Sequence, residues 1–306
     1  MKISIIGAGN VGGLTAMRIA QEGWGEVVLI DVAPGLAKAK GFDLDDSRVL
    51  IKSNYSVEGT DNTNKLKDSQ IVVITAGMPR KAGMTREDLL NYNAQILKDV
   101  CDKIKKIAAD AVVVIVTNPL DIMTYYAVKT LKFETNRVFG MGVSLDASRF
   151  ANLISKELGI PPTDIQTYVV GSHGEEMLPL PRLSLVQGRP LVDILDKQKI
   201  NEIVNKTVGR GKEIISLLGS GSAYFAPSAA IMQIVKALVN DEKSVLGVSA
   251  YLNGEYGLKD ICIGVPCVLG KEGIKEIIGL DLNQEEKEKF LKSAESIREL
   301  TRLLNI

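Results

Sequence analysis

The chain has one histidine, one tryptophan and three cysteines among 306 residues, and aromatic residues make up only 5% of it. Each scarcity excludes something. Three cysteines (Cys101, Cys262 and Cys267), none in a CxxC pair, are an odd number for a disulfide framework. They fit a reducing, cytoplasmic setting, with each thiol acting as a small buried hydrophobe. Charge of one sign is not in excess: 37 Lys and Arg balance 37 Asp and Glu. A neutral chain lacks the basic field that draws nucleic acid or an anionic membrane, so neither partner is expected. The longest apolar run, Ala111 to Val116, is far short of the roughly 18 residues of a membrane span. The apolar run at the N-terminus stops at Gly7, without the length or cleavage site of a signal peptide.

What is present has a clear rhythm. A chain of this length corresponds to about two domains and buries a core without metal or disulfide help. Apolar runs at Lys2–Ile6, Val27–Ile30, Ile71–Thr75 and Ala111–Thr117 alternate with helical stretches at Leu14–Gln21, Leu36–Asp46 and Asp88–Ile107. In the last of these the apolar positions are Leu89, Ile96, Val100, Ile104 and Ile107. Strands without polar alternation belong to parallel sheets covered on both faces, so the first domain, residues 1–143, reads as a Rossmann-type, doubly wound α/β unit. The second, residues 144–306, reads as α+β. It has a helix from Leu145, strand-like Ile165–Val170 and Arg182–Val186, and helices over Ile200–Leu218 and Pro227–Val239. A Gly-rich meander from Val245 to Leu269 follows, and then a closing helix with Phe290, Ala294, Ile297 and Leu304 on one face.

Gly7-Ala8-Gly9-Asn10-Val11-Gly12 is a G-x-G-x-x-G that follows the first strand and opens a helix. In that context Gly7 allows the tight turn, Gly9 lets the backbone approach a pyrophosphate, and Gly12 lets helix and strand pack closely. The helix N-terminus then offers unpaired N–H groups to phosphate. Asp31 closes the second strand nineteen residues after Gly12, where an acid accepts hydrogen bonds from ribose hydroxyls and repels a 2′-phosphate. The expected cofactor is NAD rather than NADP.

The single histidine, His173, lies between Gly171-Ser172 and Gly174, just past a strand. A lone histidine is more often structural, but it is also the one side chain here that titrates near neutrality unaided. Asp146 and Arg149, three apart on one helix, could orient its imidazole and hold a substrate carboxylate; spacing alone favours an ordinary intrahelical ion pair.

Taken together, Gly7–Gly12, Asp31, Thr75-Ala76-Gly77-Met78-Pro79-Arg80, Val116-Thr117-Asn118-Pro119-Leu120-Asp121, Leu145–Phe150 and Gly171–Gly174 resemble, in order, the motifs of the lactate/malate dehydrogenase family. The likeness is greatest to its malate-oxidising bacterial members built like lactate dehydrogenases. It implies reversible, NAD-dependent oxidation of (S)-malate to oxaloacetate, a reaction of the tricarboxylic acid cycle, in a cytoplasmic homodimer or homotetramer without a metal. By the same resemblance His173 is the general acid/base, Asp146 orients it, and Arg149 binds the carboxylate beside the reacting carbon. Asn118 contacts the substrate oxygen and the nicotinamide, with a cis peptide before Pro119. Asn93, Val116 and Thr117 line the cofactor. Met78 to Glu87 is a lid that closes on substrate, in which Arg86 polarises the reacting carbonyl.

Arg80 stands where lactate-specific members have Gln. The second carboxylate of malate would cost several kcal/mol to bury unpaired, which a guanidinium at Arg80 would offset; pyruvate would leave that guanidinium without a partner. Glu175 and Glu176 replace the commoner Asp-Thr after His173 and add acidic charge that could raise its pKa. No arm precedes the first strand, so assembly through such an arm is not expected. A dehydrogenase for lactate or another 2-hydroxy acid stays open, as do an NAD-dependent glycosidase, which needs a Cys/His-held metal, and a non-catalytic NAD sensor.

Overall fold

A computed structural model describes residues 1–78 and 85–304. The first half lays down β1 (Lys2–Ile6), α1 (Asn10–Gln21), β2 (Glu26–Ile30), α2 (Leu36–Leu50), β3 (Val57–Thr60), β4 (Ile71–Ile74), α3 (Arg86–Ile107), β5 (Val112–Ile115), α4 (Leu120–Leu131) and β6 (Val138–Gly140). These strands pair in parallel in the order β3-β2-β1-β4-β5-β6. Every residue of β4 and β5 is buried, as is each strand residue of β1 and β2 after the first. That two-sided burial is why β4 and β5 are Ile and Val throughout and why β1 and β2 are mostly so. The order reverses between β1 and β4, and in such sheets ligands sit beyond the carboxyl ends of the strands at that point.

The second half adds α5 (Val143–Leu158), β7 (Ile165–Gln166), β8 (Val169–Gly171), β9 (Met177–Pro179), β10 (Leu185–Val186), β11 (Arg189–Pro190), α6 (Lys197–Leu218) and α7 (Phe225–Val239). It ends with β12 (Ser244–Asn253), β13 (Lys259–Gly270), β14 (Gly273–Ile277) and α8 (Gln284–Thr301). The Gly-rich meander is the long antiparallel pair β12–β13. It does not form a separate sheet: Ser249 of β12 pairs with Gly140 of β6, and Gly264 of β13 pairs with Gly171 of β8. One eleven-stranded sheet therefore runs from the parallel half to the strand that precedes His173.

Several elements depart from expectation for local reasons. Helix α4, strand β3 and strand β6 carry no clear sequence signal. In α4 nine of twelve residues are buried, so there is no polar stripe to mark a period, and β3 and β6 have four and three residues. The run Ile165–Val170 is two strands in different sheets, β7 pairing with β10 and β8 with β13. Pro181–Leu183 is a 3-10 turn rather than strand. The buried stripe of α3 is Leu90, Ala94, Leu97, Cys101 and Ile104, mostly one position from the expected one, and α3 packs on α4. Leu304 is buried but lies past the end of α8.

Thr85 and Asp88 form a reciprocal capping box that starts α3, and Asn283 and Glu286 form another for α8. Each satisfies two backbone donors that a helix start otherwise leaves unpaired.

Candidate active site

The turn after β1 is built by close approach. A Cβ on Gly12 would lie 1.8 Å from the Gly7 carbonyl oxygen, so no larger residue fits where α1 crosses the turn. At Gly9 the opposite holds: nothing lies within 4 Å of a built Cβ, and the α1 N-terminus has no side-chain cap. Unpaired N–H groups facing open space suit a phosphate. Asp31, one residue beyond β2, is already preorganised. Its Oδ2 accepts the Ala8 N–H at 2.6 Å and its Oδ1 accepts the Ala33 N–H at 2.9 Å. Asp31 and the glycine turn are thus one hydrogen-bonded unit, and the donor set fits a dinucleotide.

Beyond β4 and β5, Thr117 is buried and its hydroxyl donates to the Ala76 carbonyl at 2.6 Å. Asn93 on α3 is also buried, and its amide works on the backbone. Oδ1 accepts the Met78 N–H at 2.8 Å, while Nδ2 donates to the Asn118 carbonyl at 2.7 Å and to that of Met78 at 3.3 Å. Both amide hydrogens are therefore engaged in holding two loop ends together. The Asn118–Pro119 peptide is cis, and the Asn118 side chain is exposed. Val116 is half-buried beside it. Arg80 lies outside the described residues, and so does the side chain of Arg86, the first residue of α3.

The substrate half contributes a compact charged cluster. Asp146, in the first turn of α5, is fully buried. Its Oδ2 lies 2.7 Å from His173 Nδ1, and its Oδ1 accepts from Arg149 Nη1 at 3.1 Å. The intrahelical pair and the Asp–His pair thus coexist on the two oxygens of one carboxylate. Because Nδ1–H donates to Asp146, neutral His173 presents Nε2 as an acceptor. Burial opposes charge on His173, but the Asp146 charge and hydrogen bond, helped by Asp121, overcome it and raise its pKa above the usual histidine value.

His173 also depends on residues that the sequence pattern did not single out for a role. Its backbone N–H donates to Asp121 Oδ2 at 2.7 Å, and the preceding Ser172 N–H donates to Ser293 Oγ of α8 at 2.8 Å. Gly171, at φ 91°, ends β8 immediately before them. The one available signal was a carboxylate in the first turn of the mostly buried helix α4. Glu175 and Glu176 lie at the surface, within 2.6 Å of Lys212 and 3.7 Å of Lys292 respectively, so each faces a compensating cation. Among the described residues no three His, Cys, Asp or Glu side chains converge to hold a metal.

Comparison with known proteins agrees with this arrangement. Residues 1–140 match the family model described as lactate/malate dehydrogenase, NAD binding domain, and residues 143–303 match its alpha/beta C-terminal domain. The chain belongs to the lactate/malate dehydrogenase family. As a member it is an NAD-dependent oxidoreductase. Malate dehydrogenase from Methanosarcina barkeri is 45% identical over 305 residues, covering 100% of this chain and 99% of that one. Among solved structures, malate dehydrogenase from Cryptosporidium parvum superposes with a TM-score of 0.95 at 41% identity, covering 98% of both chains. The lactate dehydrogenase of the same organism, complexed with lactic acid and the cofactor, gives 0.96 at 35% identity, covering 100% of this chain and 98% of that one. Backbone shape therefore does not separate the two activities; the substrate is decided by side chains.

Proposed function

We propose that this chain is a malate dehydrogenase that interconverts (S)-malate and oxaloacetate, with residues 1–143 as the cofactor half and 144–306 as the substrate half. The observation that carries the chemistry is the Asp146–His173 pair at 2.7 Å, with Arg149 on the other oxygen of the same carboxylate. Bound NAD supplies the site that accepts or gives up a hydride at the substrate C2; the remaining work belongs to side chains.

Residues Gly7, Ala8, Gly9, Asn10, Val11 and Gly12 hold the pyrophosphate, Asp31 holds the adenosine ribose, and Val116, Thr117 and Asn118 border the nicotinamide end. Asn93 keeps that edge in register through its bonds to Met78 and Asn118. Arg149 clamps the C1 carboxylate through its planar fork. In malate oxidation Nε2 of neutral His173 takes the hydroxyl proton, and Asp146 stabilises the imidazolium that forms. In the reverse direction the imidazolium returns that proton to the oxygen, where Arg86 stabilises developing negative charge.

The malate dehydrogenases at 42–45% identity support malate as the substrate; in this proposal the preference over lactate rests on Arg80 as partner of the second carboxylate. The test is Arg80→Gln: kcat/KM for oxaloacetate should fall by about 100-fold or more, since an unpaired charge costs several kcal/mol, and pyruvate should gain in relative terms. An unchanged ratio would contradict the assignment. The proposal extends to a cytoplasmic homodimer or homotetramer acting in the tricarboxylic acid cycle. Helix α2 supports assembly, since it exposes Phe42, Val49 and Leu50, which a second copy would cover. No helix among the described residues is long and apolar enough to cross a membrane.

A further inference from the structure

Asp121 is a second carboxylate buried against His173, and nothing in the chemistry above uses it. It is 3% exposed and sits in the first turn of α4, three residues after Asn118. Its Oδ2 accepts the His173 backbone N–H at 2.7 Å, and its Oδ1 accepts the hydroxyl of fully buried Ser249 on β12 at 2.6 Å. Among the described residues it has no lysine or arginine partner. A lone buried carboxylate is costly, and two hydrogen bonds with a helix N-terminus offset only part of that cost. Of the neighbouring charges, that of His173, when protonated, is the one that favours the ionised form of Asp121, while that of Asp146 opposes it.

We infer that Asp121 is a positioning residue for proton transfer: it fixes the His173 backbone to the Asn118–Pro119 turn, and its charge is a second counter-ion for the imidazolium. The inference rests on His173 being the acid/base group. The charges facing that imidazole are Asp146 and Arg149 from α5 and Asp121 from α4. On its own loop Glu175 and Glu176 are compensated by Lys212 of α6 and Lys292 of α8. With His173 neutral, Asp121, Asp146 and Arg149 sum to one negative charge; once His173 takes the substrate proton, the cluster is neutral. Burial raises the Asp121 carboxyl, while the Ser249 and His173 hydrogen bonds and the His173 charge pull it back, so the two ionisations are linked. The same carboxylate joins the helix that follows Asn118 and Pro119 to the loop that carries His173, which couples the placement of those two segments.

Asp121→Asn isolates the charge. The Asn oxygen can still accept from the His173 N–H, and its amide can donate to Ser249, whose hydroxyl also accepts. With one histidine in the chain, ¹³C-histidine labelling of the tag-free protein gives a single imidazole signal, titrated by NMR. The expected result is a His173 pKa about 1 unit lower in Asp121→Asn, with the alkaline limb of kcat/KM for oxaloacetate reduction moving to lower pH by the same amount. Ser249→Ala should move both in the same direction by less, because Asp121 with one donor is a poorer anion; it serves should Asp121→Asn fail to fold. A His173 pKa unchanged in both variants, while Asp146→Asn lowers it, would overturn the inference. The titration reads the imidazole itself, so it is decided separately from the His173 role, which fails only if His173→Gln stays active.

Discussion

Replacing Asp146 by Asn keeps the size of the side chain and removes one charge from a fully buried position. Two consequences follow from the 2.7 Å contact with His173 Nδ1 and the 3.1 Å contact with Arg149. An opposite charge this close is worth about 1–3 pKa units, and each unit is about 1.4 kcal/mol of imidazolium stability. The imidazolium that forms as malate is oxidised is therefore destabilised by about 1.4–4 kcal/mol. The amide can also turn its NH₂ toward Nδ1. That turns Nδ1 into an acceptor and puts the ring proton on Nε2, the wrong tautomer for taking a proton from substrate; an equivalent change in a serine-protease triad costs about 10⁴-fold. We expect kcat for malate oxidation to fall by roughly 10³-fold or more, and KM to rise as Arg149 loses its ionic partner. Steady-state NADH formation between pH 6 and 9 measures both. Activity of Asp146→Asn within tenfold of wild type across that range would refute the account of the dyad.

The other predictions concern the cofactor turn and the pH dependence of stability. Asp31→Ala removes the partner of both the Ala8 and Ala33 N–H groups as well as the ribose acceptor. NADH affinity, read by fluorescence titration, should weaken by about 10–100-fold, and discrimination against NADPH should shrink. The raised His173 pKa means folded protein binds the proton more tightly than unfolded chain. Its stabilising contribution is present in full below about pH 6.5 and is lost as pH rises through the folded value. Urea denaturation should therefore show His173→Gln losing more stability, relative to wild type, at pH 6 than at pH 9; an equal loss at both would contradict the shift.

Much of this was legible in the sequence where local chemistry is decisive. The apolar strands, the glycine turn and Asp31 follow from sterics and burial that act within a few residues. The Asp146–Arg149 spacing showed an ion pair, but which oxygen would be left for His173 depends on a contact between residues 27 apart. Helix α4 was invisible because it is buried on nearly all sides, and with it went the significance of Asp121. Its partners, the His173 backbone and Ser249, lie 52 and 128 residues away, and no periodicity encodes such a meeting. The resemblance puts Asn93 at the cofactor, but its bonds to the Met78 and Asn118 carbonyls were not legible; the sequence shows an Asn on a helix but not which backbone atoms it meets.

The central claim is that this family member acts on a substrate with two carboxylates. The most direct measurement is kcat/KM for oxaloacetate and for pyruvate, side by side, from the loss of NADH absorbance at one enzyme concentration. The account predicts that oxaloacetate is favoured by about two orders of magnitude or more, the scale set by one buried charge left without its partner. Equal values, or a preference for pyruvate, would leave the fold and the His173 chemistry standing and contradict the substrate assignment.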